Sequence, residues 1–280
     1  MTYITLSNGV KMPSLGYGVY QVDATESERC VLDEIDAGYR SIDTAQAYQN
    51  EEGMGCAIAK CGIQRDELFI TTKIWISNSN DEKAKVSIKQ SCENLKSDYV
   101  DLLLIHQPFN DYYGAYRAME EVYKDGLARA IGVSNFYPDR LIDLCKFTHI
   151  PPMINQVETH VLFQEKELHK IMSKYNVYHQ SWAPFAEGRK DFFNNKVLLD
   201  LASKYKKSVA QIALRFLLQS DVVVIPKSTH KDRMLENIDV FNFEILAKDM
   251  KKIEALDEGS SAFFSHYDAE TVEFLTNWKL

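Results

Sequence analysis

Eight short apolar runs recur along this chain at intervals mostly of about 25 to 35 residues, and this repeat limits the folds that it can adopt. The runs span residues 15–19, 39–43, 68–72, 101–105, 128–133, 153–156, 177–181 and 222–225. Each interval has room for a strand and a returning helix, and continuous apolar strands are typical of parallel sheets covered on both faces. The repeat predicts an α/β fold, a (β/α)8 TIM barrel, with residues 1–280 as one domain.

Amphipathic segments between the runs supply the helices of this barrel. Apolar spacing of three and four residues predicts a helix after the third run, with Val86, Leu95 and Tyr99 on its apolar face. Another helix is predicted over residues 208–220, with an apolar face formed by Val209, Ile212, Ala213, Phe216 and Leu217.

Three segments exceed the repeat. Residues 3–6 and 10–12 flank an Asn-Gly pair, which favours a tight turn and predicts an N-terminal hairpin cap. Residues 183–195 form a long loop, and residues 256–280 form a C-terminal loop rich in aromatic side chains. The tail aromatics are Phe263, Phe264, His266, Tyr267, Phe274 and Trp278. They either line a pocket or pack against the barrel wall, and the sequence leaves both possibilities open.

Composition excludes several classes of protein. A net charge of −8 offers no broad basic face, so we expect no nucleic-acid partner. No apolar run approaches the roughly 20 residues that span a bilayer, so we expect no membrane segment. The first ten residues lack a secretory pattern, which predicts a cytoplasmic protein. The five cysteines are scattered without a CxxC pair, so we expect free thiols and no metal site.

Polar residues follow three successive runs where each predicted strand ends. Asp43 ends the second run and Tyr48 follows it, Lys73 follows the third run and His106 follows the fourth. Singly, each has an ordinary explanation as a structural or solvated group. Together they mark the carboxyl end of the barrel, where active sites of this fold lie.

These four residue types suit proton transfer to a carbonyl oxygen. Tyrosine, with a pKa of about 10, is a weak acid, but an ammonium group close by favours the phenolate. We therefore expect Lys73, held by Asp43, to lower the pKa of Tyr48. His106 then donates a hydrogen bond to the carbonyl oxygen.

The chain resembles the aldo-keto reductases, in particular the bacterial-type branch of diketogluconate reductases and prostaglandin F synthases. Six segments carry the resemblance along almost the whole chain: GYRSIDTAQAYQNEEGMG, TTKIW, LLLIHQP, IGVSNF, INQVE and IPKSTHKDRMLEN. The resemblance implies a barrel that reduces aldehydes and ketones with NADPH, forming NADP+. It also implies that Tyr48 is the general acid, assisted by Lys73, Asp43 and His106.

The resemblance also implies a set of cofactor contacts. No GxGxxG motif supports a Rossmann domain, whereas Lys227, Ser228 and Arg233 follow the last run, where barrels often bind phosphate. By residue type alone, a basic exposed turn is the simpler explanation. By similarity to the family, these three residues hold the 2′-phosphate of NADPH. The similarity further implies that Glu236 and Asn237 meet the adenine, that Ser134, Asn135 and Gln156 bond the carboxamide, and that Trp182 stacks on the nicotinamide.

Two departures from the family pattern concern the substrate. Gln107 follows the predicted catalytic histidine, and Tyr20 lies near the end of the first strand, at positions where many members carry Trp. We expect both changes to make the carbonyl pocket more polar, while Trp75 keeps one aromatic wall. The short loop over residues 108–114 leaves that side of the mouth less covered.

Two other functions compete with the enzyme. An NADPH-binding regulatory subunit is disfavoured by the complete set of Asp43, Tyr48, Lys73 and His106. A barrel isomerase or metal hydrolase needs clustered His and Asp at ligand spacing, which the sequence lacks. We expect a small-molecule carbonyl substrate as the partner and a monomer as the oligomeric state.

Overall fold

The computed structural model describes residues 1–280, and its centre is an eight-stranded parallel sheet. The strands are β1 Tyr3–Thr5, β2 Lys11–Pro13, β3 Tyr17–Gly18, β4 Ser41–Asp43, β5 Phe69–Ile74, β6 Leu102–Ile105, β7 Ile131–Ser134, β8 Ile154–Glu158, β9 Tyr178–Trp182 and β10 Val222–Val224. Strands β3 to β10 pair in sequence order, and each coincides with one of the eight apolar runs. The predicted (β/α)8 barrel is confirmed.

The sheet closes on itself between its first and last strands. Leu15 and Val224 form a parallel bridge, and the Gly16 N–H donates to the Val224 carbonyl at 2.8 Å. Gly18 N–H then donates to the Pro226 carbonyl at 3.2 Å. Closure removes both sheet edges and brings the carboxyl ends of all eight strands together.

Eleven helices surround the barrel. They are α1 Ala24–Asp36, α2 Glu51–Lys60, α3 Asp81–Asn94, α4 Tyr112–Lys124, α5 Pro138–Phe147, α6 Lys166–Lys174, α7 Lys196–Tyr205, α8 Val209–Gln219, α9 Lys231–Ile238, α10 Ala247–Glu254 and α11 Ala269–Asn277. No helix among them is both long enough and apolar enough to cross a bilayer.

Helix α8 confirms its predicted apolar face, whereas α3 does not. All five predicted apolar residues of α8 are buried, and Ser208 begins the helix with a capping box to Gln211. In α3, Val86 is 71% exposed, and Tyr99 lies beyond the end of the helix. The helix itself is present, and Leu95 is buried at its C-terminal end as predicted. The placement of Val86 and Tyr99 on the apolar face was wrong, because the buried face is formed by small and polar side chains, such as Ala84 and Ser91, around Ile88.

The N-terminal hairpin lies at the amino end of the barrel. Strands β1 and β2 pair antiparallel, with Ile4 opposite Met12. Asn8 in the turn donates to the Arg129 carbonyl at 2.9 Å, close to the start of β7. Leu6 and Met12 belong to the main core, a cluster of 65 buried apolar residues. The hairpin therefore caps the end of the barrel opposite the strand carboxyl ends.

The two long segments meet at the carboxyl end of the barrel. Residues 183–195 contain two short 3-10 turns, Ala186–Gly188 and Phe192–Asn194. Lys190 of this loop forms an ion pair of 2.5 Å with Glu258 of the tail. The Arg189 guanidinium lies over the Phe263 ring at 4.3 Å. Loop and tail together thus form one wall above the strand ends.

Candidate active site

A cavity of about 530 Å³ opens at the carboxyl end of the barrel. Its wall contains most of the residues that the sequence singled out, namely Tyr20, Asp43, Tyr48, Trp75, His106, Gln107, Ser134, Asn135, Gln156, Trp182 and Lys227. The strand ends and the loops that follow them supply these residues, because all eight strands run in the same direction. The cavity is large enough for a small molecule and mixes apolar with polar groups.

An ion pair between Lys73 and Asp43 lies at the floor of this cavity. Lys73 on β5 is fully buried, and Asp43 ends the neighbouring strand β4. The Lys73 ammonium also donates to the Thr44 carbonyl at 2.9 Å, and it lies 3.4 Å from the Tyr48 hydroxyl. Gln156 donates to the second oxygen of Asp43 at 2.7 Å. The ammonium is therefore fixed beneath the tyrosine hydroxyl.

The pKa of Tyr48 is shifted in the direction opposite to the prediction. Burial raises the pKa of this phenol well above its usual value, and the Asp43 carboxylate raises it further. The prediction of a lowered pKa was wrong because Asp43 compensates the charge of Lys73, so the pair offers no net positive charge against the cost of burial. Burial likewise lowers the pKa of Lys73 and raises that of Asp43. In this structure Tyr48 holds its proton firmly.

His106 lies beside the tyrosine, with its ring 5.5 Å from the Tyr48 ring and nearly perpendicular to it. Burial lowers the pKa of His106 well below its usual range, and Lys73 adds to this shift, so the imidazole is neutral at physiological pH. Its Nδ1 atom is buried without a hydrogen-bond partner. An unpaired acceptor costs less than an unpaired N–H, which favours the proton on Nε2. Tyr48 and His106 can then both donate to one ligand oxygen.

Side-chain amides and a tryptophan form the next part of the wall. Trp182 donates through Nε1 to the Asn135 side-chain oxygen at 2.9 Å, so its polar edge is fixed. Asn135 donates in turn to the His106 carbonyl at 3.0 Å. The Ser134 hydroxyl donates to the Gln156 carbonyl at 2.8 Å, and Gln156 lies 3.1 Å from Gln180. This wall therefore offers polar groups next to an indole ring that lines the cavity.

The segment after β10 carries two cations without a carboxylate partner. Lys227 lines the cavity, and Arg233 lies exposed on α9; neither forms an ion pair in the structure. Lys231, in contrast, contacts Asp33 and Asp36. A segment that leaves a guanidinium and an ammonium free fits a phosphate group.

The other predicted residues of this segment lie outside the cavity wall. Ser228 is buried, and its carbonyl accepts a hydrogen bond of 2.5 Å from Tyr17. The Glu236 carboxylate accepts from the Ser208 hydroxyl at 2.6 Å, and Asn237 is buried. The structure thus connects this segment to α8 and to β3.

The C-terminal tail contributes residues that the sequence alone could not assign. Phe263, Phe264, Leu275, Phe274 and Trp278 line the cavity. The Trp75 indole N–H donates to the Trp278 carbonyl at 2.9 Å, which attaches the tail to the segment that follows β5. The aromatic composition of the tail was the available signal, and four of its six aromatic residues do line the pocket.

No group of three or more His, Cys, Asp or Glu side chains is arranged to hold a metal ion. All five cysteines are free thiols, of which Cys30 and Cys92 are buried. The cavity wall offers hydroxyl, amide, imidazole, ammonium and carboxylate groups.

Comparison with known proteins gives consistent matches. The model of the Aldo/keto reductase family matches residues 6–258. Glyoxal reductase of Bacillus subtilis (strain 168) is 45% identical over 257 residues, which cover 91% of this chain and 92% of that protein. Methylglyoxal reductase DkgA of Escherichia coli (strain K12) is 42% identical over 92% of this chain and 94% of its own length.

A solved structure agrees with these matches. The aldo-keto reductase of Bombyx mori in complex with NADP superposes with a TM-score of 0.91 and is 31% identical. The superposition covers 99% of this chain and 98% of that structure.

Proposed function

Because the chain belongs to the aldo/keto reductase family, we propose that it reduces small aldehydes and ketones with Tyr48 as the proton donor. The chain is an oxidoreductase that uses NADPH and acts on carbonyl groups. The observation that carries the assignment of Tyr48 is its hydroxyl, 3.4 Å from the buried Lys73 ammonium, in the wall of the same cavity as His106.

Each residue of the proposed catalytic set has a distinct task. NADPH, when bound, supplies the hydride that converts the carbonyl carbon to a carbinol. His106 Nε2–H orients the carbonyl oxygen and stabilises its developing negative charge. Tyr48 delivers a proton to that oxygen, and the Lys73 ammonium stabilises the phenolate that remains. Asp43 holds Lys73 in position and keeps it charged.

The residues that would hold NADPH are those named from the sequence. Ser134, Asn135 and Gln156 offer hydrogen-bonding groups for the carboxamide, and the Trp182 indole offers a face for the nicotinamide ring. Lys227 and Arg233 lack carboxylate partners and suit the 2′-phosphate, together with Ser228. Glu236 and Asn237 would meet the adenine. The fit of the donor set to a dinucleotide phosphate supports NADPH over NADH.

We propose 2-oxoaldehydes, such as glyoxal and methylglyoxal, as the preferred substrates. Two relatives that are 45% and 42% identical carry the names glyoxal reductase and methylglyoxal reductase. The polar Gln107, in the cavity wall beside His106, suits a substrate with more than one oxygen. Tyr20 and Trp75 complete the substrate side of the wall.

Replacement of Tyr48 by Phe tests the proposed acid. We expect the kcat for methylglyoxal to fall about 10³-fold, because the transition state loses its proton donor. NADPH binding, measured by quenching of tryptophan fluorescence, should remain close to that of the wild type. Tyr113→Phe removes an exposed hydroxyl that bonds Asp143 outside the cavity, and it should retain wild-type activity. A fully active Tyr48→Phe variant would contradict the assignment.

Replacement of Arg233 by Gln tests the phosphate contact. We expect the Kd for NADPH to rise about tenfold and the Kd for NADH to stay within about twofold, because only NADPH carries the 2′-phosphate. An equal loss of affinity for NADPH and NADH would mean that Arg233 does not contact the 2′-phosphate.

We also propose that residues 1–280 form one domain that acts as a monomer in the cytoplasm. The main core supports one domain, since it extends from Leu6 to Ile253. Five free thiols suit a reducing compartment. Light scattering in solution tests the oligomeric state, and a mass of two chains would contradict the monomer.

A further inference from the structure

Gln107, the residue after His106, forms a hydrogen bond with the C-terminal tail across 159 positions of sequence. Its Oε1 atom lies 2.7 Å from the Nε2 atom of His266. Both side chains are buried, with exposed fractions of 6% for Gln107 and 4% for His266. The orientation of a cavity-wall amide therefore depends on a residue that is distant in the chain.

The hydrogen-bond partners of His266 fix which ring nitrogen carries the proton. Burial lowers the pKa of His266 to about 4, so the ring is neutral at physiological pH. The Tyr137 hydroxyl accepts the backbone N–H of His266 at 3.3 Å and lies 3.1 Å from Nδ1. Its own proton is free to point at Nδ1, which leaves the imidazole proton on Nε2, facing the oxygen of Gln107.

This arrangement leaves the other end of the Gln107 amide without a protein partner in the cavity wall. Its oxygen is occupied by His266, and its Nε2 atom has neither a protein partner nor complete burial. Gln107 lines the cavity together with Tyr48 and His106. Phe109 stacks on the His266 ring at 5.9 Å, and Phe264 packs against its edge at 5.2 Å. The ring is thus held in place by aromatic contacts as well as by hydrogen bonds.

We infer that His266 is a positioning residue that presents the Gln107 amide N–H2 to the second oxygen of a 1,2-dicarbonyl substrate. The inference rests on the proposed function, since it concerns the same cavity and the same reaction. His106 serves the oxygen of the reacting carbonyl, and Gln107 serves the oxygen on the adjacent carbon. Tyr137, His266 and Gln107 form a relay of neutral hydrogen bonds that ends at the substrate.

The preference for a 1,2-dicarbonyl over a simple aldehyde follows from the cost of an unpaired donor. A substrate that displaces water from the cavity leaves the Gln107 N–H2 without an acceptor unless it brings a second oxygen. Methylglyoxal and propanal have the same three-carbon length, and only methylglyoxal has an oxygen on the second carbon. One neutral hydrogen bond corresponds to about a tenfold preference in kcat/KM.

The experiment compares methylglyoxal with propanal in the wild type and in His266→Phe, with NADPH. We expect kcat/KM for methylglyoxal to fall about tenfold in the variant and that for propanal to change less than about twofold. Phenylalanine keeps the stacking on Phe109, and thermal melting checks that the variant is folded. Tyr267→Phe is the matched control in the tail, because it removes an exposed bond to Asp139 and should keep the wild-type ratio.

Two further variants separate positioning from a general loosening of the tail. His266→Gln carries an amide donor at a reach similar to that of imidazole Nε2, so it should restore at least half of the wild-type preference. Gln107→Leu should lose the preference by itself, and the double variant with His266→Phe should be no worse, because both changes break one relay. Additive losses in the double variant would overturn the inference.

The outcomes distinguish this inference from the proposed function. If the wild type oxidises NADPH with neither aldehyde, the proposed function fails. If both aldehydes are reduced and their ratio is unchanged in His266→Phe, the proposed function stands and the inference is wrong.

Discussion

Two buried aspartates at opposite ends of the barrel hold cations in different ways. Asp43 ends β4 at the cavity, where it meets the fully buried Lys73 and accepts from Gln156. Asp101 precedes β6 at the other end, where Arg65 lies 2.8 Å and Arg129 3.0 Å from its oxygens. Both carboxylates are almost completely buried, so the difference lies in their partners.

The cations differ in their access to water. The side chains of Arg65 and Arg129 are 20% and 45% exposed, so their charges keep part of their hydration. The Lys73 side chain is not exposed to water at all, and burial lowers the pKa of Lys73 while raising that of Asp43. Desolvation of both partners costs free energy that their attraction often does not recover, so a fully buried ion pair is expected where it has a role besides stability. The comparison supports the proposal that the pair at the cavity serves chemistry, whereas the pair at the base serves stability.

Among changes at the two aspartates, the larger effect is expected from Asp43→Asn, which removes the charge that keeps Lys73 protonated. We expect kcat/KM for methylglyoxal to fall about 10² to 10³-fold, because the proton donor loses its charged neighbour. The free energy of unfolding should change less than in the matched Asp101 variant described below, since Lys73 can lose its proton when its partner is neutral. Steady-state rates and urea denaturation measure the two quantities. A variant that unfolds easily but keeps its rate would reverse the roles proposed for the two ends.

Asp101→Asn is the matched change at the base, and it should act on stability. We expect the free energy of unfolding to fall by about 2 to 3 kcal/mol, below the usual cost of breaking a fully buried pair because both arginines reach water. The kcat should remain within about twofold of the wild type. Urea denaturation and steady-state rates again provide the measurement. Equal losses of rate in the Asp43 and Asp101 variants would remove the contrast between the two ends.

Two histidines extend the comparison to pH. His106 faces the cavity, whereas His179 on β9 bonds Thr159 at 2.7 Å and lies 3.0 Å from His169. Burial lowers the pKa of His179 to about 3, so the unfolded chain binds a proton that the folded chain does not between pH 6.5 and 3. The stability that this neutral histidine contributes is complete above pH 6.5 and is lost as the pH falls through that window.

We therefore expect His179→Gln to reduce the acid sensitivity of folding. Between pH 7 and pH 4.5 the wild type should lose about 2 kcal/mol more free energy of unfolding than the variant. His149→Gln alters an exposed histidine and should keep the wild-type dependence. Urea denaturation at the two pH values measures the difference. If the free energy of unfolding of the wild type and of His179→Gln fell equally with pH, His179 would take up its proton over the same pH range in the folded and unfolded states.

The sequence predicted the barrel and the strand ends because both depend on local patterns. A parallel strand covered on both faces needs a short apolar run, and the residue after that run must lie at the carboxyl end. The runs therefore located Asp43, Lys73 and His106 relative to the strands. The predicted burial of Val86 was wrong because spacing identifies a periodic set of side chains but not which face the barrel covers. This valine is 71% exposed.

Contacts between distant residues were beyond such patterns. Gln107 and His266 are 159 positions apart, and nothing local in either segment marks the other. The backbone of the loop over residues 183–195 is also not encoded by turn residues, since Ala183, Ala186 and Glu187 adopt positive φ without being glycine or asparagine. The pKa of Tyr48 was misjudged for a related reason, because the extent of burial and the charge balance of a pair are properties of the packed site.

Arg65→Lys should give the smallest effect, and it tests whether geometry or charge matters at the base. The Arg65 guanidinium bonds Asp101, Ser97 and the carbonyls of Leu68 and Tyr99, and it lies 4.1 Å from the centre of the Tyr99 ring. Lysine keeps the charge but not the planar set of donors. Water can replace part of what is lost because Arg65 is 20% exposed, so we expect a loss of about 1 kcal/mol in the free energy of unfolding.

The control for this exchange is Arg29→Lys, because Arg29 also forms two ion pairs, with Glu26 and Asp33, but on the exposed surface of α1. Exposed pairs contribute little, so this variant should unfold within about 0.5 kcal/mol of the wild type. Urea denaturation of both variants gives the difference. A larger loss for Arg65→Lys would mean that the base depends on the fork of donors as well as on charge. Equal losses would mean that charge alone stabilises it, and the contrast with Lys73 would then rest on burial only.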